Sequence, residues 1–167
     1  MIEDSPFPSD VVALAERVIA ENTAAGRKVA LAESCTGGLV CGALTEVAGS
    51  SAVLDRGFVT YSNESKMQAL GVPLDIIETF GAVSIACAWA MAKGALEHSD
   101  ADVAVAISGV AGPGGGTDLK PVGTVVFARV IRGHEGDPDG ELKRFEPTSR
   151  SDIRRQATLC ALELLLP

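Results

Sequence analysis

The chain has 167 residues, 47% hydrophobic and 22% charged, which is enough for one substantial core and leads to the expectation of a single domain spanning residues 1–167. A formal charge of −8 opposes nonspecific attraction to nucleic acid or an anionic membrane, so neither is expected as a partner, although a local basic pocket could hold one phosphate. The four cysteines, Cys35, Cys41, Cys87 and Cys160, form no C-x-x-C pair, and with only His98 and His134 beside them no metal site is expected. Met1 to Asp10 lacks the basic start and apolar run of a secretory signal, and no run reaches the roughly 20 apolar residues that span a bilayer. A cytoplasmic location is the default expectation.

In chain order, Val11, Leu14, Ala15, Val18 and Ile19 recur at helical spacing, with Gly26 as a stop. Lys28 to Glu33 reads as a strand and Gly37 to Val47 as a helix rich in small residues. Gly57 to Tyr61 is a second short strand, followed by a polar turn at Ser62, Asn63 and Glu64. Ser84 suits the N-cap of an apolar helix over Ile85 to Leu96. Val103 to Ile107 is continuously apolar, as a central strand covered on both faces would be, and it runs into a glycine-rich loop. Val122 to Ile131 reads as the longest strand; a turn at Gly136 to Gly140 returns it through Glu141 to Glu146 as an antiparallel hairpin. Ser149 and Asp152 have capping-box spacing before a terminal amphipathic helix. This order predicts an α/β fold: a three-layer α/β/α sandwich around a mixed, mostly parallel sheet of about five strands.

Open α/β sheets bind ligands beyond the carboxyl ends of their strands. Here those ends deliver Glu33, Ser34, Cys35, Thr36 and Gly37 after the first strand, and Tyr61, Asn63 and Lys66 after the second. The third delivers Ser108, Gly109, Gly112, Gly114 and Thr117. Ser34 stands where a strand meets a helix, a place that suits either a nucleophile beside free amides or a plain helix N-cap. Neither histidine is placed to serve it, which disfavours a Ser-His-Asp triad. Lys66 is the better base, with an ordinary exposed helix lysine as its alternative. Acting near neutral pH would require its pKa to drop from about 10.4 to near 7, a cost of about 4 kcal/mol, supplied by burial or by a cation such as Arg56. Tyr61 could relay the proton or merely pack at a strand end. The loop from Ser108 lacks the Gly-Lys-Ser/Thr ending of a Walker A motif and the G-x-G-x-x-G spacing, so it suits bound phosphate without implying ATP hydrolysis. Lys120 and Arg150 are candidate partners for that phosphate or else solvated surface charges. Cys35 could be a reactive thiol, but a packed, inert one is the plainer reading.

Taken together, several of these segments resemble the CinA C-terminal domain family. They are Ala32-Glu33-Ser34-Cys35-Thr36-Gly37-Gly38, Gly49-Ser50-Ser51, the run from Arg56 to Lys66, Gly81-Ala82-Val83-Ser84, Ser108 to Gly115, and Lys120-Pro121-Val122-Gly123-Thr124-Val125. They occur in family order between about Val11 and Leu165. Stand-alone members of the family are nicotinamide-nucleotide amidohydrolases. The resemblance therefore implies hydrolysis of the carboxamide of nicotinamide mononucleotide to nicotinic acid mononucleotide and ammonia, in pyridine nucleotide recycling and NAD metabolism, without a cofactor. It maps the catalytic set onto Ser34, Tyr61 and Lys66. Larger members carry an additional N-terminal domain, for which this sequence is expected to lack room before its site. A non-catalytic nucleotide-binding regulatory domain and thiol chemistry at Cys35 are the competing readings. The resemblance, with the apolar helix around Trp89, also points to a homo-oligomer.

Overall fold

The computed structural model describes residues 2, 4–134, 136 and 139–167. Its sheet follows from a simple alternation. Along β1 (Val29–Glu33) and β3 (Val103–Gly109), successive side chains point to opposite faces, and the sequence alternates bulky with small. Val29, Leu31, Val103, Val105 and Ile107 join the core under α1 (Ser9–Ala25), α2 (Leu39–Thr45) and α6 (Arg150–Leu164). Ala30, Ala32, Ala104 and Ala106 pack on the other side with Ala88, Met91, Ala92 and Ala95 of α5 (Ile85–Glu97), where short side chains let the helix lie close. Leu70 of α3 (Asn63–Leu70) and Ile77 of α4 (Leu74–Phe80) complete that second layer. The result is the expected three-layer α/β/α sandwich.

The five strands run in the order β2-β1-β3-β4-β5, with β2 at Leu54–Val59, β4 at Thr124–Ile131 and β5 at Asp139–Arg144. β1 is parallel to both β2 and β3, whereas β3–β4 and β4–β5 are antiparallel. The C-terminal hairpin is thus β4–β5; the turn expected at Gly136 to Gly140 falls partly on residues 137 and 138, outside the described residues. Register decides where the chemistry lies. Glu33 pairs with Val59 on one side and Ile107 on the other, so the next residues, Ser34, Thr60 and Ser108, lie level with one another, the first two just past their strands and Ser108 still within β3.

Several boundaries differ from expectation. β2 starts at Leu54 and ends at Val59, so Tyr61 lies beyond the strand. α2 starts only at Leu39, because Gly37 (φ 57°) and Gly38 (φ 103°) hold left-handed backbone that continues the turn after Ser34. α4 and a short 3-10 turn at Ser50–Ala52 are additions that the sequence reading did not contain. No described helix is long and apolar enough to cross a membrane.

Candidate active site

Lys66 sits in the first half of α3, whose start is fixed by Ser62 accepting from the Ser65 amide at 3.0 Å. That cap turns Lys66 inward, and only 1% of it is exposed. Its Nζ lies 3.0 Å from Ser34 Oγ, donates to the Thr60 carbonyl at 2.7 Å and approaches the Tyr61 carbonyl at 3.4 Å. This arrangement has a chemical consequence. Two carbonyls accept but cannot donate, so they occupy two N–H directions and leave the remaining tetrahedral position of the nitrogen aimed at the serine hydroxyl. When the amine is neutral, that position is a lone pair ready to take the Ser34 proton. Burial favours that state, holding the Lys66 pKa below its ordinary value, against smaller opposing contributions from Cys87 and Cys35. Arg56, the cation suggested by sequence, is not part of this: it bonds Asp55 and the His98 carbonyl.

Ser34 is 7% exposed, and its amide is tied to the Ile107 carbonyl at 2.9 Å, which extends the sheet by one residue and fixes where Oγ points. It is not a helix cap, since α2 begins five residues later with Gly38 at its N-cap position. The expectation that the helix amides would stabilise an anion needs correction. Glu33, fully buried, accepts from Thr36 Oγ1 at 2.7 Å, Val40 N at 3.0 Å and Cys41 N at 3.1 Å, so its carboxylate already occupies the α2 amides. Glu33 and Thr36 therefore brace the turn and do not line the cleft. Among the described residues the amides of Cys35, Thr36 and Gly38 donate to no backbone oxygen, and that of Cys35, next to Ser34, is the one adjacent to the nucleophile.

The cleft above Ser34 has a volume of about 270 Å³. It gathers Ser34, Cys35, Tyr61, Asn63, Lys66, Ser108, Gly109, Gly112, Gly114 and Arg150 of the residues expected from sequence, and adds Ala82, Val83, Val110, Ala111 and Gly115. No Asp or Glu among the described residues lines it, in a chain with 22 acidic residues, while Lys66 and Arg150 do. That polarity suits an anionic ligand. Arg150 bridges the two walls, donating to the Gly112 carbonyl at 2.8 Å and to Tyr61 Oη at 3.0 Å. Tyr61 is 63% exposed, so its ring and hydroxyl form the rim; only its carbonyl faces Lys66, which does not match a proton relay. Ser108 Oγ donates to the Ala82 carbonyl at 2.8 Å and ties the glycine loop to the segment before α5.

Thr117 and Lys120 lie outside the cleft: Thr117 Oγ1 accepts from the Lys120 amide at 3.0 Å in a surface turn, and Lys120 Nζ donates to the Phe80 carbonyl at 2.6 Å. Gly37 also stays outside it, its left-handed backbone turning beside Arg154. Burial pushes the Cys35 thiol up to about 12, as expected of a packed rather than reactive sulfur. His98 is exposed, its Nδ1 2.8 Å from the Gly94 carbonyl. No group of three or more His, Cys, Asp or Glu that could hold a metal ion occurs among the described residues. The sequence reading missed Arg154, which donates to the Cys35 carbonyl at 3.0 Å and approaches that of Thr36 at 3.4 Å. Its helical i, i+4 spacing from Arg150 was the signal available.

Residues 11–167 match the model of the CinA C-terminal domain. A CinA-like protein of Mycolicibacterium vanbaalenii is 52% identical over 153 residues, 92% of this chain but 35% of that protein. The chain spans about a third of the length of the curated relatives it matches. Among solved structures, the competence/damage inducible protein CihA from Agrobacterium tumefaciens superposes with a TM-score of 0.92 at 51% identity, covering 96% of each chain. A competence-damaged protein (CinA) superfamily protein from Escherichia coli gives 0.87 at 34%, covering 97% of this chain and 92% of that one.

Proposed function

The chain belongs to the CinA C-terminal domain family, and from its Ser34–Lys66 pair we propose that it is an amidohydrolase releasing ammonia from the carboxamide of nicotinamide mononucleotide. The observation that carries the reaction type is the buried Lys66 Nζ at 3.0 Å from Ser34 Oγ, with no histidine in the cleft. A buried lysine aimed at a serine costs folding energy that an ordinary surface lysine avoids, and nucleophile activation accounts for it. The substrate comes from the family resemblance and is compatible with the lack of Asp and Glu among the described residues that line the cleft.

Lys66 removes the Ser34 proton as Oγ attacks the amide carbon, and the Cys35 amide stabilises the resulting oxyanion. The ammonium so formed returns its proton to the leaving nitrogen, ammonia departs, and water hydrolyses the Ser34 ester by the same base. Arg150, with Asn63 and the loop from Ser108 to Gly115, holds the ribose-phosphate end. Tyr61 contributes at the rim by orienting Arg150. We place the whole activity in one domain comprising residues 1–167. Incubation of the purified protein with nicotinamide mononucleotide, followed by enzymatic measurement of ammonia, tests the reading: steady turnover is expected, and saturable binding without ammonia would replace it with a nucleotide-binding regulatory role.

A further inference from the structure

The Ser34 turn lies between two opposite charges that the reaction itself does not use. On one side is the Glu33 carboxylate, fully buried, held by three donors and without a Lys or Arg within ion-pair distance among the described residues. A negative charge fixed one residue from the nucleophile opposes the growth of a second negative charge at the oxyanion. On the other side is Arg154, half-buried on α6, whose guanidinium donates to the Cys35 carbonyl and approaches that of Thr36. It too has no carboxylate partner among the described residues. Burial is the main cause of the raised pKa of the adjacent Cys35 thiol; Glu33 adds to it, and Arg154 and Lys66 oppose it.

We infer that Arg154 is a positioning residue for the nucleophile turn, fixing the Cys35 and Thr36 peptides through their carbonyls and offsetting the buried Glu33 charge where the oxyanion forms. Its two bonds cross from α6 to a turn that otherwise depends on two left-handed glycines, Gly37 and Gly38, for its shape. The Cys35 carbonyl belongs to the peptide next to the one that carries the Cys35 amide, so Arg154 fixes the far side of Cys35 and with it the direction in which that amide meets the oxyanion. This inference rests on the serine amidase reading. It adds a residue that touches neither substrate nor the reacting atoms.

The test is a double-mutant cycle on nicotinamide mononucleotide turnover with Arg154→Met, Glu33→Gln and the pair, plus Arg154→Lys, each checked for native circular dichroism and melting. Arg154→Met is expected to lower kcat by about 10- to 100-fold with KM changed less than about threefold, because only transition-state charge is affected. Arg154→Lys keeps the charge and recovers part of the loss. In the Arg154→Met background, Glu33→Gln is expected to recover part of the lost kcat, because it removes the charge that opposes the oxyanion. A double variant no faster than Arg154→Met alone, or an Arg154→Met variant with wild-type kcat, would overturn the inference while leaving the amidase reading standing. A wild-type protein that produces no ammonia would overturn that reading and the inference built on it.

Discussion

Gly94→Ala separates local helix preference from tertiary packing and links both to the site. In the interior of an isolated helix, replacing glycine with alanine stabilises by about 0.8–1.0 kcal/mol. In α5, however, a Cβ at position 94 would meet the backbone of Leu70, at 2.8 Å from its carbonyl carbon and 3.0 Å from its Cα, with the carbonyl oxygen nearer still. Ordinary contact begins near 3.4 Å, so α3 and α5 must separate by at least 0.6 Å, the difference between 3.4 and 2.8. The obstacle is backbone and no rotamer relieves it. Overpacking of this kind costs about 1–3 kcal/mol, and the upper end applies here, leaving a net loss of about 2 kcal/mol after the propensity gain. For a chain of this size that corresponds to a Tm lower by about 4–8 °C. Leu70 stands one helical turn beyond Lys66 in α3, so the same displacement lengthens the 3.0 Å approach of Lys66 to Ser34 and should lower kcat by about 10-fold. Differential scanning calorimetry and amidase kinetics on one preparation read both effects. A variant that melts at or above the wild-type temperature with full activity would refute the argument.

Five further outcomes are expected. Ser34→Ala and Lys66→Met should each lower kcat by at least about 10³-fold, and the double variant should be no worse than either alone, because the two act as a unit. The kcat/KM profile should rise with pH as Lys66 loses its proton and level off below the ordinary 10.5 of lysine, since burial lowers its pKa; a rising limb at or above that value would contradict a buried base. Because the fold disfavours the ammonium, the unfolded chain binds more protons in the window between the lowered pKa and 10.5, and Lys66 makes stability increase with pH across it. Arg150→Ala should raise KM by about 10- to 100-fold with little change in kcat, as removal of ground-state anion binding requires. With the Cys35 thiol held at about 12, only about one in ten thousand is ionised at pH 8, so iodoacetamide should leave activity intact over hours, and rapid inactivation traced to Cys35 would contradict its packing.

The sandwich was legible because the information is local. The continuous apolar run of β3, the Gly26 stop after α1 and the Ser149–Asp152 spacing before α6 each report on their own segment. α4 was missed for the complementary reason: seven residues after Pro73 bury only Ile77, which is too little for a helical stripe to show. In the site, strand ends told which residues converge, and Ser34, Lys66, Asn63, Ser108 and Arg150 meet in one cleft. What strand ends do not tell is direction. Glu33 follows the pleat into the core and caps α2, while Tyr61, two residues past β2, turns its hydroxyl outward to Arg150. The i, i+4 spacing puts Arg154 on the same face of α6 as Arg150, but that this face meets the Ser34 turn, 118 to 119 positions away in sequence, is set by tertiary packing.

The nucleophile itself is best tested by trapping its intermediate. Acid quenching during turnover of nicotinamide mononucleotide, followed by proteolysis and mass spectrometry, should find the nicotinate mononucleotide acyl group on the peptide carrying Ser34. It should vanish in Ser34→Ala. An acyl group on Cys35, or undiminished turnover in Ser34→Ala, would contradict the serine–lysine account.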